Sequence, residues 1–539
     1  MNAEYQRLVA EASEVQNQID ELVKSCGQMG AADFQKVEAK IAGLHQRLAG
    51  LRQGMGLLEL AGSAKMRAQA AKLVNSQPKT FHSQGTRPKT VKLTGGVTVT
   101  LHITYYHRFQ VPEKAKNKKA NRGMFPMLIL LGIANGFTAG ARQRMMKCAA
   151  LLGSYEEAVQ MLADEGLKIS VNTLRKVTAG MGEMLARLTK LGSVKVSGDA
   201  AGRRIVVTTD GGRVRLREKR RGKTKRGHKR FKPAWREPRL FMIYATDEHG
   251  KLDPTFSPII DGSLGSCDQL FRMLLSYLKA LNVKDASKVL FIADGAKWIW
   301  SRVPSLIKSL GLTVEQTQQR IDYWHAVEYL GKIVESSSLK GKEKTQWRKT
   351  QKNHLYRGDI GLVVIAIEEL IGDTPSKDQT TWLNYFVNHG LTHRRMDYPL
   401  SVSNHLPIGS GAIESAVRRV INLRVKSNAT YWLRENAETI IRFRAWIKAG
   451  RAEELLHQTT YVTPAVNIRG RGEWRARAPW RLSPIESPRG EVRKCRSGGS
   501  EKAVVSFAIT DDETMTCWRM TRRADFGVLP VVPLTNSTA

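Results

Sequence analysis

Apolar positions in residues 1–60 recur at helical spacing. Val37, Ile41, Leu44, Leu48 and Leu51 step by four and three, the spacing of a coiled-coil seam. Gly27 and Gly30 interrupt the pattern, so two helices are expected, either a hairpin packed on the rest of the chain or an arm that pairs with a second copy. The period shifts to two over residues 90–108, where the run from Val91 to Tyr105 alternates around Gly95-Gly96 and predicts a β-hairpin. Lys114 to Arg122 reads as a basic loop, and residues 61–135 are grouped as the hairpin region with its basic linker.

Helical spacing returns over 138–182. Met145 to Leu152 forms an apolar-rich helix, and Ser154 with Glu157 has the spacing of a capping box that opens the next one. Gly166 makes a turn, and Ser170-Val-Asn-Thr-Leu-Arg-Lys-Val begins a third helix. This suits a helix-turn-helix over 136–190, with Asn172, Thr173, Arg175 and Lys176 toward a DNA groove. An ordinary three-helix packing unit gives the same pattern.

Strands and helices then alternate over 195–325. Strands are expected at Arg204-Ile-Val-Val-Thr-Thr, Arg213-Val-Arg-Leu-Arg, Leu240-Phe-Met-Ile-Tyr-Ala, Lys288-Val-Leu-Phe-Ile-Ala and, in short form, Arg320-Ile-Asp-Tyr-Trp-His. Helices are expected at Leu270–Leu281 and Trp298–Leu310. Three strands, a helix, a strand, a helix and a strand is an α/β layer order, and it is the order of an RNase H-like core. Residues 326–405 read as a helical insertion, and 406–450 as the core's final helix, single or split in two. The fold class expected is therefore α/β: an RNase H-like catalytic core with a helical insertion, preceded by N-terminal helical and helix-turn-helix DNA-binding regions. Residues 459–539 are rich in Gly, Arg, Pro and Ser and read as a basic flexible region, with Arg469-Gly-Arg-Gly-Glu-Trp-Arg-Ala-Arg as a phosphate-gripping segment and Val504 to Ile509 as a lone strand.

Charge narrows the partner. The 539 residues carry 86 Lys and Arg against 49 Asp and Glu, a formal net charge of +37 that favours a polyanion, nucleic acid first. No apolar stretch reaches the roughly 18 residues a membrane helix needs, so no membrane partner is expected. Five scattered cysteines without a CxxC pair make a zinc knuckle or disulfide framework unexpected and point to a reducing, cytoplasmic setting. Fourteen of the 27 residues from Arg213 to Arg239 are basic, including Lys219, Arg220, Arg221, Lys223, Lys225 and Arg226. A charge run is by default a solvated loop, but this one follows directly on Asp210, and contact with DNA phosphates is expected.

Asp210 and Asp294 each end a β-branched or apolar strand and precede Gly. Carboxylates at the ends of neighbouring strands can converge on a hard cation such as Mg²⁺, which prefers carboxylate and phosphate oxygens. Glu414, in Pro407-Ile-Gly-Ser-Gly-Ala-Ile-Glu-Ser, falls in the first turn of a helix that Ile413, Val417 and Ile421 point at the core. Arg418, Arg419, Arg424 and Lys426 follow it, placed to hold phosphates. Taken singly, each acid has an ordinary structural reading as turn chemistry or helix-dipole relief. Asp199, Asp247 and Asp261 are competitors, and Asp247 reads as a hairpin turn.

The three motifs together, Val-Val-Thr-Thr-Asp210-Gly-Gly, Phe-Ile-Ala-Asp294-Gly-Ala-Lys-Trp and Gly-Ser-Gly-Ala-Ile-Glu414-Ser, resemble the DDE acids of bacterial insertion-sequence transposases, the ISKra-type group related to Mutator-like elements. Asp322-Tyr-Trp-His325 resembles the Asp/Cys-x-x-His signature of Mutator-like transposases. The resemblance covers roughly residues 140–450, and the 120 positions between Asp294 and Glu414 resemble members with a helical insertion. A Cys-based metal knuckle that many relatives carry after the N-terminal hairpin has no counterpart at Tyr105-Tyr-His-Arg. The resemblance implies a bacterial, nucleoid-associated enzyme that cleaves the terminal inverted repeats of its element and transfers the strand to target DNA, working as a homo-oligomer. It implies two Mg²⁺ ions, replaceable by Mn²⁺, on Asp210, Asp294 and Glu414. His325 and Asp322 would assist, by carrying a proton or by anchoring the insertion, and Trp324 would stack on a flipped base or fill core. Two rivals fit the same residues: an RNase H-like nuclease that only hydrolyses, and a non-catalytic DNA-binding protein derived from a transposase.

Overall fold

The structure, a computed structural model, describes residues 3–77, 80–107, 123–224, 227–427 and 430–460. The basic loop from Lys114 to Arg122, the pair Lys225 and Arg226, the basic segment after Arg469 and the strand expected at Val504 to Ile509 lie outside the described residues.

The chain opens with helices α1 (Ala3–Ser25) and α2 (Ala31–Gly62), broken where the two glycines predict. A third helix, α3 (Ala64–Asn75), follows immediately, capped by the Ser63 hydroxyl on the Met66 N–H. Residues 64–75 carry few large apolar side chains, so periodicity gave no sign of it. Strands β1 (His82–Lys92) and β2 (Thr98–His107) form the expected hairpin, with Gly95 and Gly96 at φ 72° and 78° in its turn. Short β3 (Gly123–Met124) and α4 (Pro126–Leu130) complete this part. Leu8, Leu48 and Leu51 share one apolar cluster with Val91, Val99, Leu101 and Ile103. Part of the coiled-coil-like seam is thus buried inside the chain, as a packed hairpin requires.

Helices α5 (Ala139–Leu151), α6 (Tyr155–Asp164) and α7 (Val171–Lys190) follow. The Ser154 hydroxyl accepts from the Glu157 N–H at 2.9 Å, while the Glu157 carboxylate reaches back to Gly153 N, one residue before a capping box would close. Ser170 caps α7 in the same way. Leu174, Val177, Met181, Leu185 and Leu188 on α7 join the apolar core that also holds the sheet, so the three helices share the core of the sheet.

The central sheet is mixed. Its strands are β4 (Arg204–Gly211), β7 (Arg239–Thr246), β8 (Ile259–Ser263), β9 (Lys288–Ala293) and β10 (Thr317–Ile321), in the order β10-β9-β4-β7-β8. The pairs β4–β7 and β7–β8 are antiparallel, whereas β4–β9 and β9–β10 are parallel. Helices α8 (Cys267–Ala280), α9 (Lys297–Trp300) and α10 (Val303–Leu310) make the connections between the later strands. The expected strand at Arg213–Arg217 exists but lies outside this sheet. It begins β5 (Val214–Lys223), which pairs with β6 (Lys229–Arg236) in a two-stranded ribbon and makes a single parallel bridge to Trp432. The reason is compositional: beyond Val214 and Leu216 both faces carry charge, and a strand covered on both sides must be apolar on both. The strand that takes its place in the sheet is β8, whose Ile-Ile-Asp-Gly-Ser is too short and polar to announce itself. The stretch Asp322-Tyr-Trp-His is likewise helical rather than extended: β10 stops at Ile321, and α11 (Tyr323–Glu335) begins at once.

The insertion is helical as expected, with α12 (Gly341–Arg357), α13 (Ile360–Ile371), α14 (Lys377–Phe386), a π-helical turn over 387–392 and α15 (Tyr398–Ser403). The final segment is split: α16 (Gly411–Val417), a second π-helical turn over 418–422, α17 (Arg434–Lys448) and α18 (Ala452–Thr460). Helix α17 docks on β8 around a buried carboxylate. Asp261 accepts from Arg442 Nε at 2.9 Å and a second guanidinium nitrogen at 2.6 Å, from the Tyr277 hydroxyl at 2.6 Å and from the Gly262 N–H at 2.8 Å. Both ions are almost wholly buried, and every acceptor site on Asp261 is used, which excludes it as a functional acid. Removing one member leaves the other charge buried alone. Arg442→Ala is therefore expected to cost about 3–5 kcal/mol of stability, read by thermal or denaturant unfolding. A loss below about 1 kcal/mol would mean that α17 docks by apolar contact alone.

Candidate functional site

The parallel pairing of β4 with β9 ends at Thr208 opposite Ile292. Two residues further along each strand stand Asp210 and Asp294. Each carboxylate makes one short-range bond to the backbone beyond it: Asp210 Oδ1 accepts from the Gly211 N–H at 2.6 Å and Asp294 Oδ1 from the Ala296 N–H at 3.0 Å. Among the described residues no side chain donates to the second oxygen of either acid. The loop after Asp294 is held from behind. Trp300 Nε1 donates to the Asp294 carbonyl at 2.6 Å, and a Cβ on Gly295 would fall 2.2 Å from the Tyr385 ring, so only glycine fits there. Tyr385 comes from the helical insertion and stacks on Tyr329, with ring centroids 4.1 Å apart. His389 packs edge-on to it, and burial, followed by the nearby Arg395, pushes its imidazole down to about 4.

Glu414 arrives from the other side on α16, which lies against β4 and β7. It sits in the first turn and is half exposed, while Ile413, Val417 and Ile421 are buried as their spacing predicted. His325 meets it, Nε2 standing 3.5 Å from Glu414 Oε1, with Nδ1 3.8 Å from Glu328. The fifth member of the expected set behaves differently. Asp322 is buried and caps α11, accepting from the His325 N–H at 3.0 Å, and its other oxygen accepts from the Ser410 hydroxyl at 2.6 Å and from the Ser410 N–H. Both oxygens of the buried Asp322 are thus engaged in this cap. These bonds fix His325 and the start of α16, the anchoring one of the two roles expected of it. The Asp-x-x-His spacing is that of an N-cap and the third helical residue. Trp324, between them, is 57% exposed, with Lys352 over its ring, so it does not fill core.

Burial dominates the electrostatics. It pushes the Asp210 carboxyl up to about 6, against the Gly211 N–H, with the negative charges of Asp294 and Glu414 adding to the rise and His325 opposing it. Asp294 is raised by burial as well, with the Ala296 N–H and His325 opposing and Asp322 adding. Two half-buried carboxylates whose ionised forms are disfavoured, with no Lys or Arg bonded to either, suit a divalent cation. The all-oxygen donors are those of a hard ion such as Mg²⁺. Among the described residues no three His, Cys, Asp or Glu side chains form a ready-made metal cage. That is compatible with Mg²⁺, which takes one or two carboxylates and completes its shell with water and phosphate.

The basic residues divide. Arg418 and Lys426 are exposed near α16, and Arg419 is half-buried with its Nε on the Ser415 carbonyl at 3.3 Å. Arg424 is a correction: it is buried, its guanidinium lies over Trp432 at 5.1 Å, and burial lowers its pKa, so it is unable to reach DNA. Lys219, Arg220, Arg221 and Lys223 are exposed on β5, in a ribbon rather than a loop. On α7 Asn172, Arg175 and Lys176 are exposed, and Thr173 is half-buried beside its cap, Ser170. Of the competing acids, Asp199 and Asp247 are engaged with backbone N–H groups of their own turns. The contributions of Tyr385, Tyr329 and His389 had no sequence signal, because they reach Asp294 from a distant insertion.

The raised carboxyl of Asp210 has a consequence for stability. The folded chain holds this proton more tightly than the unfolded chain, whose carboxyl titrates near 3.8. The associated stability is complete below that pH and is lost as pH rises through about 6. In buffer stripped of divalent metal, Asp210→Asn is expected to unfold at a higher temperature than wild type at pH 7.5, by on the order of 2 kcal/mol, and the two should converge near pH 4. A variant less stable than wild type at neutral pH would contradict this.

No protein-family model matches the chain, and no curated protein matches it. Among solved structures the chain is similar to the Drosophila P element transposase strand transfer complex, at 11% identity and a TM-score of 0.23, over 61% of this chain and 83% of that one.

Proposed function

We propose that the chain is a DDE-type DNA transposase, which cleaves the ends of an insertion sequence and joins the freed strand to target DNA. The observation that carries this reading is the convergence of Asp210, Asp294, Glu414 and His325 at one end of a sheet, two of the acids on parallel neighbours. A central first strand, two antiparallel strands on one side and two parallel strands on the other is the strand order of an RNase H-like core, which adds support. So does the net charge of +37, with an exposed basic ribbon rooted beside Asp210.

In this reading Asp210, Asp294 and Glu414 hold two Mg²⁺ ions, or Mn²⁺ in their place. The ions would supply activation of water or a 3′-OH and charge neutralisation at the scissile phosphate. Asp322 keeps α16 and α11 in fixed relation, so that Glu414 and His325 face the two aspartates. His325, beside Glu414, is the candidate to pass a proton to or from a leaving or attacking oxygen. Arg418, Lys426 and the ribbon lysines and arginines take phosphates and set the register of the DNA. The exposed Asn172, Arg175 and Lys176 of α7 read the terminal repeats in the manner of a recognition helix. Most of the rate enhancement then comes from positioning and electrostatics.

The test is Mg²⁺-dependent nicking and joining of DNA that carries the element's ends. Wild type is expected to nick and join, and Asp294→Asn to lose nicking by about 100-fold or more while DNA binding persists. Equal activity in the two proteins removes Asp294 from the site. Nicking with no joined product assigns a hydrolytic nuclease instead.

A further inference from the structure

The ribbon carries more than charge. Strand alternation and register put Arg215 opposite Trp235, Arg217 opposite Pro233 and Lys219 opposite Phe231 on one face, while Val214 and Leu216 turn to the core. The next strand-like segment joins this edge: the Arg217 N–H donates to the Trp432 carbonyl at 2.7 Å, and the Trp432 N–H donates to the Arg215 carbonyl at 3.0 Å. That pairing brings Tyr431 alongside. The result is a continuous chain of cation–ring and ring–ring contacts. Arg217 lies over Phe231 at 5.0 Å, Phe231 meets Tyr431 at 5.8 Å, Arg215 lies over Tyr431 at 5.0 Å and over Trp235 at 5.4 Å. Despite these contacts Phe231 remains 41% exposed and Trp235 55% exposed.

Arg–aromatic pairing stiffens a two-stranded ribbon that would be marginal alone. It does not require large rings at the solvent edge, where an aliphatic or threonine pair would serve the strand as well. Open ring faces flanked by guanidinium groups, on an arm dense in Lys and Arg, match a partner that offers flat π-systems and phosphates together. Unpaired nucleotides offer both, whereas a duplex keeps its base faces stacked inside. The ribbon also leaves the sheet at Gly211-Gly212, directly after Asp210, and returns through Pro238 to β7. Its root is therefore at the place where strand cleavage would release single-stranded ends.

We infer that the face formed by Trp235, Phe231 and Tyr431 with Arg215 and Arg217 is a stacking platform for unpaired DNA nucleotides next to the cleavage site. The inference rests on the DNA-processing reading above. Its test is binding of full-length wild type, Trp235→Ala, Trp235→Phe and Phe231→Ala to oligo-dT, oligo-rU and a duplex of equal length, by fluorescence anisotropy. Melting temperatures should be matched first, since both rings are exposed. Trp235→Ala and Phe231→Ala are each expected to weaken oligo-dT binding by about tenfold, to leave duplex binding nearly unchanged, and Trp235→Phe to restore most of the loss. Undiminished oligo-dT binding, or equal losses on oligo-dT and duplex, overturns the platform and leaves the ribbon a phosphate clamp. Tighter binding of oligo-rU than oligo-dT by wild type overturns the assignment to DNA. Failure of wild type to bind any nucleic acid defeats the DNA-processing reading itself, a result separable from the others.

Discussion

Parallel pairing of β4 with β9 runs the two strands in the same direction, and the paired stretch ends at Thr208 opposite Ile292, so the residues just beyond it on both strands are delivered to one place. Here Asp210 and Asp294 follow, two residues past the last paired positions. A one-residue slip would turn one of them to the opposite face of the sheet. The apolar faces of both strands, Val206 and Val207 against Leu290 and Phe291, are buried and hold the register. The core thus sets the separation of the two acids.

Glu414 and His325 are not on the sheet and must be brought to it. Asp322 does this with one carboxylate. It caps α11 at His325 and, through Ser410, holds the start of α16, joining two segments 88 positions apart in the chain. The insertion between them is more than filler. Tyr385 and Tyr329 brace the loop after Asp294, and Gly295 leaves room for the contact. Burial disfavours ionisation of Asp210 and Asp294, and neighbouring carboxylates add to it, so both carboxyls are raised. In the proposed function a hard divalent cation would relieve this cost, and that would link the scaffold to phosphoryl transfer.

Much of this arrangement is legible in the sequence. Asp210 and Asp294 stood out because each ends an apolar strand and precedes Gly, and Glu414 because a Gly-Ser-Gly turn and apolar residues four apart fix its helix face. What escaped had local patterns that mislead or none at all. The run Arg213 to Arg217 alternates like a sheet strand, but its outward arginines can be solvated only in a ribbon. Strand β8 is short and holds an aspartate, which is tolerable only because Arg442, from 181 positions away, meets it. Arg424 looked like its exposed neighbours, yet the π-helical turn before it directs it inward over Trp432. Asp322 carried a readable signal, an acid three residues before His at a helix start, but a strand reading hid the cap.

The proposed chemistry requires divalent metal held jointly by Asp210, Asp294 and Glu414. The most direct measurement replaces that ion with Fe²⁺ and maps where hydroxyl radicals generated at the metal cut the polypeptide. Cuts are predicted near Asp210, near Asp294 and between Gly409 and Glu414, suppressed by excess Mg²⁺ and absent in Asp294→Asn. Cuts confined to other parts of the chain, or an unchanged pattern in the variant, would contradict it.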